Sequence, residues 1–511
     1  MSKPQANNKR IAKNTVLLYI RMLVLMLVSL YTSRVVLAAL GVEDYGIYNV
    51  VGGIVVLFTF INNAMVTSTQ RYLNFELGRN DTLQAQKVFS ISLNIHILIA
   101  LLILLLSETV GLWFLNTTIQ YPETKEFAVH ITYQFSILTT CVKIIRTPYN
   151  AAIIAHENMS FYAYLSIFEA VLQLAIVFML MMFGANRLIL YSLLLFVVAV
   201  IIYLCYYIYC KKSFAVCHYK VYKDKLLYKK LLSFSGWSLF GGMANMGASQ
   251  GLNILLNIFF GVTVNAAMGI ASQVNTAVTS FVHSFQTAFN PQIVKSYAKG
   301  DHDYFIKLIL STSKYSYLLL FILVLPIYIC TTEILNIWLT EVPEYAISFC
   351  RLMLIFSLLD ALQGPLWFSV QATGKIKTYQ ILMSFMILSN LPITYICLKL
   401  GNSPDTALIV KCIVNFLTLF VRIWYLRKLY KFPVYEFFIK VICRIIPITV
   451  LGYMLIYIPI ECSSDFIKVL VVLPETIVAN VVLLITIGLN SDEKDVLFRN
   501  IRKIYEKCKR C

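Results

Sequence analysis

Charge is scarce in this sequence. Of 511 residues only 13% are Asp, Glu, Lys or Arg, while 59% are hydrophobic and the mean hydropathy is +0.75. A soluble domain carries about 25% charged residues, so a soluble globular protein is excluded. Long polar stretches are missing too: no loop is long enough for a soluble domain, and the outside connections near 116–125 and 331–344 are short beside the long outside loop on which a membrane enzyme usually carries its active site. There is no glycine-rich nucleotide motif. A single Cys-x-x-Cys, Cys508 and Cys511, has no further ligands near it, whereas a closed zinc site needs four. Cys141, Cys205, Cys330, Cys350 and Cys412 lie inside apolar runs, where a thiol acts as a small hydrophobe. Neither metal nor cofactor is expected.

What the chain does have is long apolar runs. Fourteen spans are expected, at about 14–40, 45–67, 88–115, 126–154, 160–184, 187–210, 231–260, 264–290, 305–330, 345–371, 378–400, 405–427, 437–460 and 465–489. A helix needs about 18 or more apolar residues to span a bilayer, and the runs lack the alternation of a membrane barrel strand. The first run follows a basic N-terminus and is too long for a signal-peptide core, so it reads as an uncleaved transmembrane helix.

The loops set the expected orientation. Those on the N-terminal side carry Lys9, Arg10, Lys13, Arg71, Arg79, Lys87, Lys295, Lys299, Lys375, Lys377, Arg427, Lys428 and Lys431. The opposite loops carry Glu43, Asp44, Glu123, Glu333, Glu341, Asp405 and Asp465, with few cations. By the positive-inside rule both termini are cytoplasmic. The net charge of +18 is then topology, and no nucleic-acid partner is implied.

An internal duplication orders the spans. At an offset of 220, Gly41-Val42 matches Gly261-Val262, 78–81 matches 298–301, and Lys87 matches Lys307. At an offset of 217, Pro148 meets Pro365, Ala155 meets Ala372 and Tyr162 meets Tyr379. Two parallel repeats of six helices, with two helices appended, are expected. The domains are then a bundle at 1–210, a basic cytoplasmic linker at 211–230, a second bundle at 231–430, helices 13 and 14 at 431–490, and a basic amphipathic tail at 491–511.

This arrangement resembles the multidrug/oligosaccharidyl-lipid/polysaccharide (MOP) exporter superfamily. The hairpin Ser33–Tyr48, SRVVLAALGVEDYGIY, is similar to the "R-x-L-G-x-x-x-Y-G" hairpin of the polysaccharide-transport branch, the Wzx-type flippases, with Val36 where Leu is common. Ala372-Thr373-Gly374-Lys375 resembles the same branch. The resemblance implies a transporter of the bacterial inner membrane. It would move an undecaprenyl-pyrophosphate-linked sugar between leaflets, serving lipopolysaccharide or O-antigen synthesis alongside other polysaccharide-assembly proteins. Two alternatives stay open: a cation-coupled drug exporter of the superfamily, and a polyprenyl-dependent glycosyltransferase or polymerase.

Charges at membrane depth are the candidate site residues, because each costs about 2.5–3.5 kcal/mol on insertion scales. Arg21 lies roughly 10 Å inside the cytoplasmic end of the first span by helix rise. Lys143 and Arg146 share one face of the fourth span, and Lys314 on the ninth lies at similar depth. These cations would suit a pyrophosphate held between the halves; snorkelling to headgroups is the competing reading. Arg34 and Arg351, near the outer ends, are further substrate-binding candidates, with an ion pair to Glu43 or Asp44 the rival role for Arg34. Glu169 and Asp360 are candidate ion-coupling acids, or else partners of nearby cations.

Overall fold

The computed structural model describes residues 3–118, 122–182, 186–339, 341–454, 464–490 and 493–494. Among them it is predominantly helical, with no strand. In order the helices are α1 (Lys3–Phe58), α2 (Phe60–Gly78), α3 (Thr82–Leu106), α4 (Leu112–Thr118), α5 (Glu126–Ala155), α6 (Met159–Met182), α7 (Arg187–Ser213), α8 (Lys225–Phe260) and α9 (Val262–Ala298). They continue as α10 (His302–Ile329), α11 (Thr331–Trp338), α12 (Ala346–Thr373), α13 (Lys377–Leu388), α14 (Asn390–Lys399), α15 (Asp405–Tyr430), α16 (Val434–Phe437), α17 (Cys443–Met454) and α18 (Asp465–Leu483). Ten stretches among the described residues are long and apolar enough to cross a membrane. The other four expected spans are also helical, in α1–α2, α8 and α9. The chain is an all-α, multi-pass membrane protein. The expected amphipathic tail lies outside the described residues except for Glu493 and Lys494.

The duplication is written into the backbone. Left-handed residues recur in matched turns: Gly41 with Gly261 (φ 81° and 79°), Asn80 with Gly300 (59° and 75°), Glu157 with Gly374 (60° and 75°), and Asn186 with Gly401 (50° and 85°). Each marks a helix-to-helix turn where the chain must take a conformation that favours glycine. At Gly41 the break is a single residue inside α1, and Gly261 alone separates α8 from α9.

One expected loop is shorter than the apolar runs suggest: past the run at 45–67, α2 continues to Gly78, and Asp81 caps α3, its carboxylate accepting from Gln84 N at 2.9 Å. Arg71 is therefore a buried helical residue, not a loop cation. It donates to the carbonyls of Gln371 (3.0 Å) and Ala372 (2.9 Å), the last turn of α12, and lies 4.6 Å from the Phe75 ring. Within 211–230, α7 reaches Ser213 and α8 begins at Lys225.

The chain divides into two compact units. The first holds Met1–Met243, Thr287–His302 and Gln371–Gln380; the second holds Ala244–Gln286, Asp303–Val370 and Ile381–Cys511. In lipid, apolar burial gains no transfer energy, so close packing and polar contacts hold such bundles. In the first unit Ala151, Ala152 and Ala155 of α5 are buried, and Phe89 and Tyr149 pack edge-to-face at 5.2 Å. Gly78 admits the α9 backbone so closely that a Cβ would meet Lys295 Cα at 2.8 Å. Nearby, buried Glu157 accepts from Gln292 Nε2 (2.5 Å) and Lys295 Nζ (2.6 Å). In the second unit Phe349, Leu256, Ala267, Ala271 and Leu408 form the main core cluster.

Candidate cationic pocket

Four helices of the first unit surround a cavity of about 230 Å³. Helical spacing explains its lining. On α1, Arg21 and Leu25 are four apart; on α5, Arg146 and Asn150 are four apart; on α6, Tyr162, Ser166, Glu169, Ala170 and Gln173 form one stripe. Tyr206 of α7 completes it. Pro148 sits between Arg146 and Asn150 within α5 and removes one helical hydrogen bond there.

The electrostatics are unequal. Arg146 Nη1 donates to Glu169 Oε2 at 3.0 Å, with both side chains about 20% exposed. The Arg146 guanidinium lies 5.3 Å from the Tyr206 ring centroid. Arg21 stacks over Tyr162 at 4.4 Å, and its Nε is buried without a hydrogen-bond partner. Asn150 Oδ1 is likewise buried and unpartnered. Two guanidinium groups against one carboxylate leave the pocket with an excess of one positive charge. Planar guanidinium forks match phosphate and carboxylate oxygens.

The other expected residues are dispersed. Lys143 is exposed and outside the lining, so its three-residue spacing from Arg146 does not bring it into the pocket. Lys314, in the second unit, is 3% exposed and bound to both carboxylate oxygens of Glu493, at 2.6 and 2.9 Å. Arg351 lies 5.5 Å from the Tyr328 ring. Asp360 is exposed on α12. The Arg34 side chain lies outside the described residues. Asp44, one of its expected partners, pairs with Lys125 at 2.6 Å.

Sequence reasoning missed Tyr162, Ser166, Gln173, Asn150 and Tyr206. The α6 stripe was readable as polar residues recurring at three and four, but it is diluted within a strongly apolar run.

No family model and no curated protein sequence matches the chain. Solved structures do. The fold is similar to an outward-facing multidrug resistance MATE family transporter of the MOP superfamily, at TM-score 0.70 and 15% identity, over 83% of this chain and 95% of that one. It is similar to a MATE structure in the bent conformation, at TM-score 0.69 and 15% identity, over 83% and 95%. It is also similar to a MOP superfamily transporter from Pyrococcus furiosus, whose reversed binding-pocket polarity suggests a different function for that protein, at TM-score 0.69 and 14% identity, over 83% and 95%. At these identities the likeness establishes the fold: that of MATE transporters of the MOP superfamily.

Proposed function

We propose that this chain is a flippase that carries a polyprenyl-pyrophosphate-linked oligosaccharide across the bacterial inner membrane, with Arg21 and Arg146 holding the pyrophosphate. The observation that carries the reading is the pair of guanidinium groups lining one cavity, Arg21 with an unpartnered buried Nε. A pyrophosphate leaving headgroup water needs replacement donors, and charge-assisted hydrogen bonds of about 1.5–3 kcal/mol each supply them. The prenyl tail needs no pocket, because it stays in lipid. The cytoplasmic placing of both termini follows the Lys and Arg distribution.

Drug export is the second reading. Glu169 and two tyrosine rings in the lining are groups that attract an organic cation. Against it stands the excess positive charge of the lining, which repels an organic cation. In the Pyrococcus protein reversed pocket polarity is what suggests a different function, so polarity is the feature to weigh here as well.

The test is export of a lipid-linked sugar unit in a strain lacking its own flippase. Arg21→Ala and Arg146→Ala should abolish export at normal protein level, and Lys at either position should restore only part of it. Full export by both Ala variants would remove the pocket from the mechanism. Glu169 and Asp360 are the proposed coupling acids: Glu169→Gln or Asp360→Asn should flatten the pH dependence of export, and an unchanged profile in both would leave them structural.

A further inference from the structure

Between α7 and α8 the chain forms a strap, residues 214–224, that lies along α3. The α3 side chains Gln86, Ser90 and Asn94 are four apart and hold it from one face. Gln86 Nε2 donates to His218 O at 2.6 Å, Lys220 N donates to Ser90 Oγ at 3.2 Å, and the Tyr219 hydroxyl donates to Asn94 Oδ1 at 3.0 Å. Asn94 is twelve residues into α3, about 18 Å from its start by helix rise. The strap is thus fixed beside the first turns of a helical stretch, Thr82–Thr117, that is long and apolar enough to cross a membrane.

Its exposed residues are basic and apolar together. The segment 211–230 holds seven lysines and one acid, Asp224. That acid is used in capping α8, its carboxylate accepting from Leu227 N at 3.0 Å. Lys220, Lys223 and Lys225 are exposed and have no carboxylate partner among the described residues. Beside them in sequence Tyr219, Val221 and Leu226 are exposed as well. Solvated lysines alone would need no apolar neighbours, and lipid-facing residues alone would need no lysines. Interleaved at a helix end, the two kinds match a headgroup layer: tyrosine and aliphatic groups in the acyl boundary, ammonium groups at the phosphates.

We infer that this strap is a binding surface for anionic phospholipid headgroups of the leaflet on the side of the basic loops. A juxtamembrane lysine near an anionic leaflet strengthens association about fivefold. Three lysines should give the lipid a preference well above tenfold over a zwitterionic one.

The test titrates purified full-length protein in detergent with fluorescent phosphatidylglycerol and, separately, fluorescent phosphatidylcholine. The wild type should prefer phosphatidylglycerol, with an affinity that falls as salt rises. Lys220→Ala/Lys223→Ala/Lys225→Ala should weaken phosphatidylglycerol binding at least tenfold and leave phosphatidylcholine binding unchanged. The corresponding triple Arg variant should bind as the wild type does, and so should Arg21→Ala/Arg146→Ala. Undiminished phosphatidylglycerol binding by the triple Ala variant, or salt-insensitive binding by the wild type, would overturn the inference. So would loss of binding confined to the Arg21/Arg146 variant, which would move the lipid into the pocket.

Discussion

Arg146 in the first unit and Lys314 in the second are both cations at membrane depth, and the sequence predicts one role for both. The structure separates them. Lys314 is 3% exposed and faces both oxygens of one carboxylate, which neutralises it; Arg146 is about 20% exposed, makes one bond to Glu169 and shares its pocket with Arg21, whose buried Nε has no hydrogen-bond partner. Depth along a helix says that a charge needs a partner. Only the fold says whether the protein supplies that partner or leaves the place for a ligand.

The contrast can be broken at its stronger end first. Removing one member of a buried pair costs about 3–5 kcal/mol because the other is stranded. Lys314→Met should therefore lower thermal stability in detergent severely, and adding Glu493→Leu should recover most of it. A single variant as stable as the wild type would show that Lys314 is no more committed than Arg146. Arg71→Ala comes next. It removes two bonds to the end of α12 and a stacked guanidinium, so a loss of about 2–3 kcal/mol is expected from the unsatisfied carbonyls. Thermal unfolding by intrinsic fluorescence measures it, and a neutral result would reduce Arg71 to a surface cation.

The weaker end sharpens the comparison. Glu169→Gln should change stability by about 1 kcal/mol or less, in the range of partly exposed pairs, while altering transport. A large stability loss without a transport effect would make the Arg146–Glu169 pair structural, like Lys314–Glu493. The smallest effect concerns His156, in the turn after α5. Burial first, with nearby Lys295 adding to it, holds its pKa below the usual value, against a backbone bond to Ala152 that raises it. The folded state then binds this proton less readily than the unfolded chain. His156 costs nothing at neutral pH, and stability falls as pH drops through about 6.5, the unfolded value. Melting curves at pH 7.5 and 5.5 should show a smaller acid loss in His156→Phe, which keeps the stack on Phe214. An identical acid loss would clear His156 of the effect.

Much of the fold was legible because its determinants are local. Apolar length located the helices, and glycines at 41 and 261 located two hairpin joints that the backbone carries out with nearly equal φ. Arg21, Arg146 and Glu169 could be named because charge inside an apolar run is conspicuous. What failed was partnership at long range. The carbonyls that hold Arg71 lie 300 residues further on, and the carboxylate on Lys314 lies 179 further on, in a segment read as a solvated or membrane-surface tail. Lys143 shares a helix face with Arg146 by spacing, yet it is exposed and lies outside the lining, because a face about 100° wide holds positions that do not all converge on one cavity.

The single-residue joints at Gly41 and Gly261 bear on how the protein is made. A helical hairpin closed by one glycine leaves almost no polar chain between its arms: at the first joint, little more than Glu43 and Asp44. Both arms can enter the lipid together, so neither waits for a long hydrophilic loop to be translocated. Lengthening either joint with a polar insert would slow insertion of that hairpin before it disturbed the finished structure, and pulse-labelled nascent chains would reveal the delay.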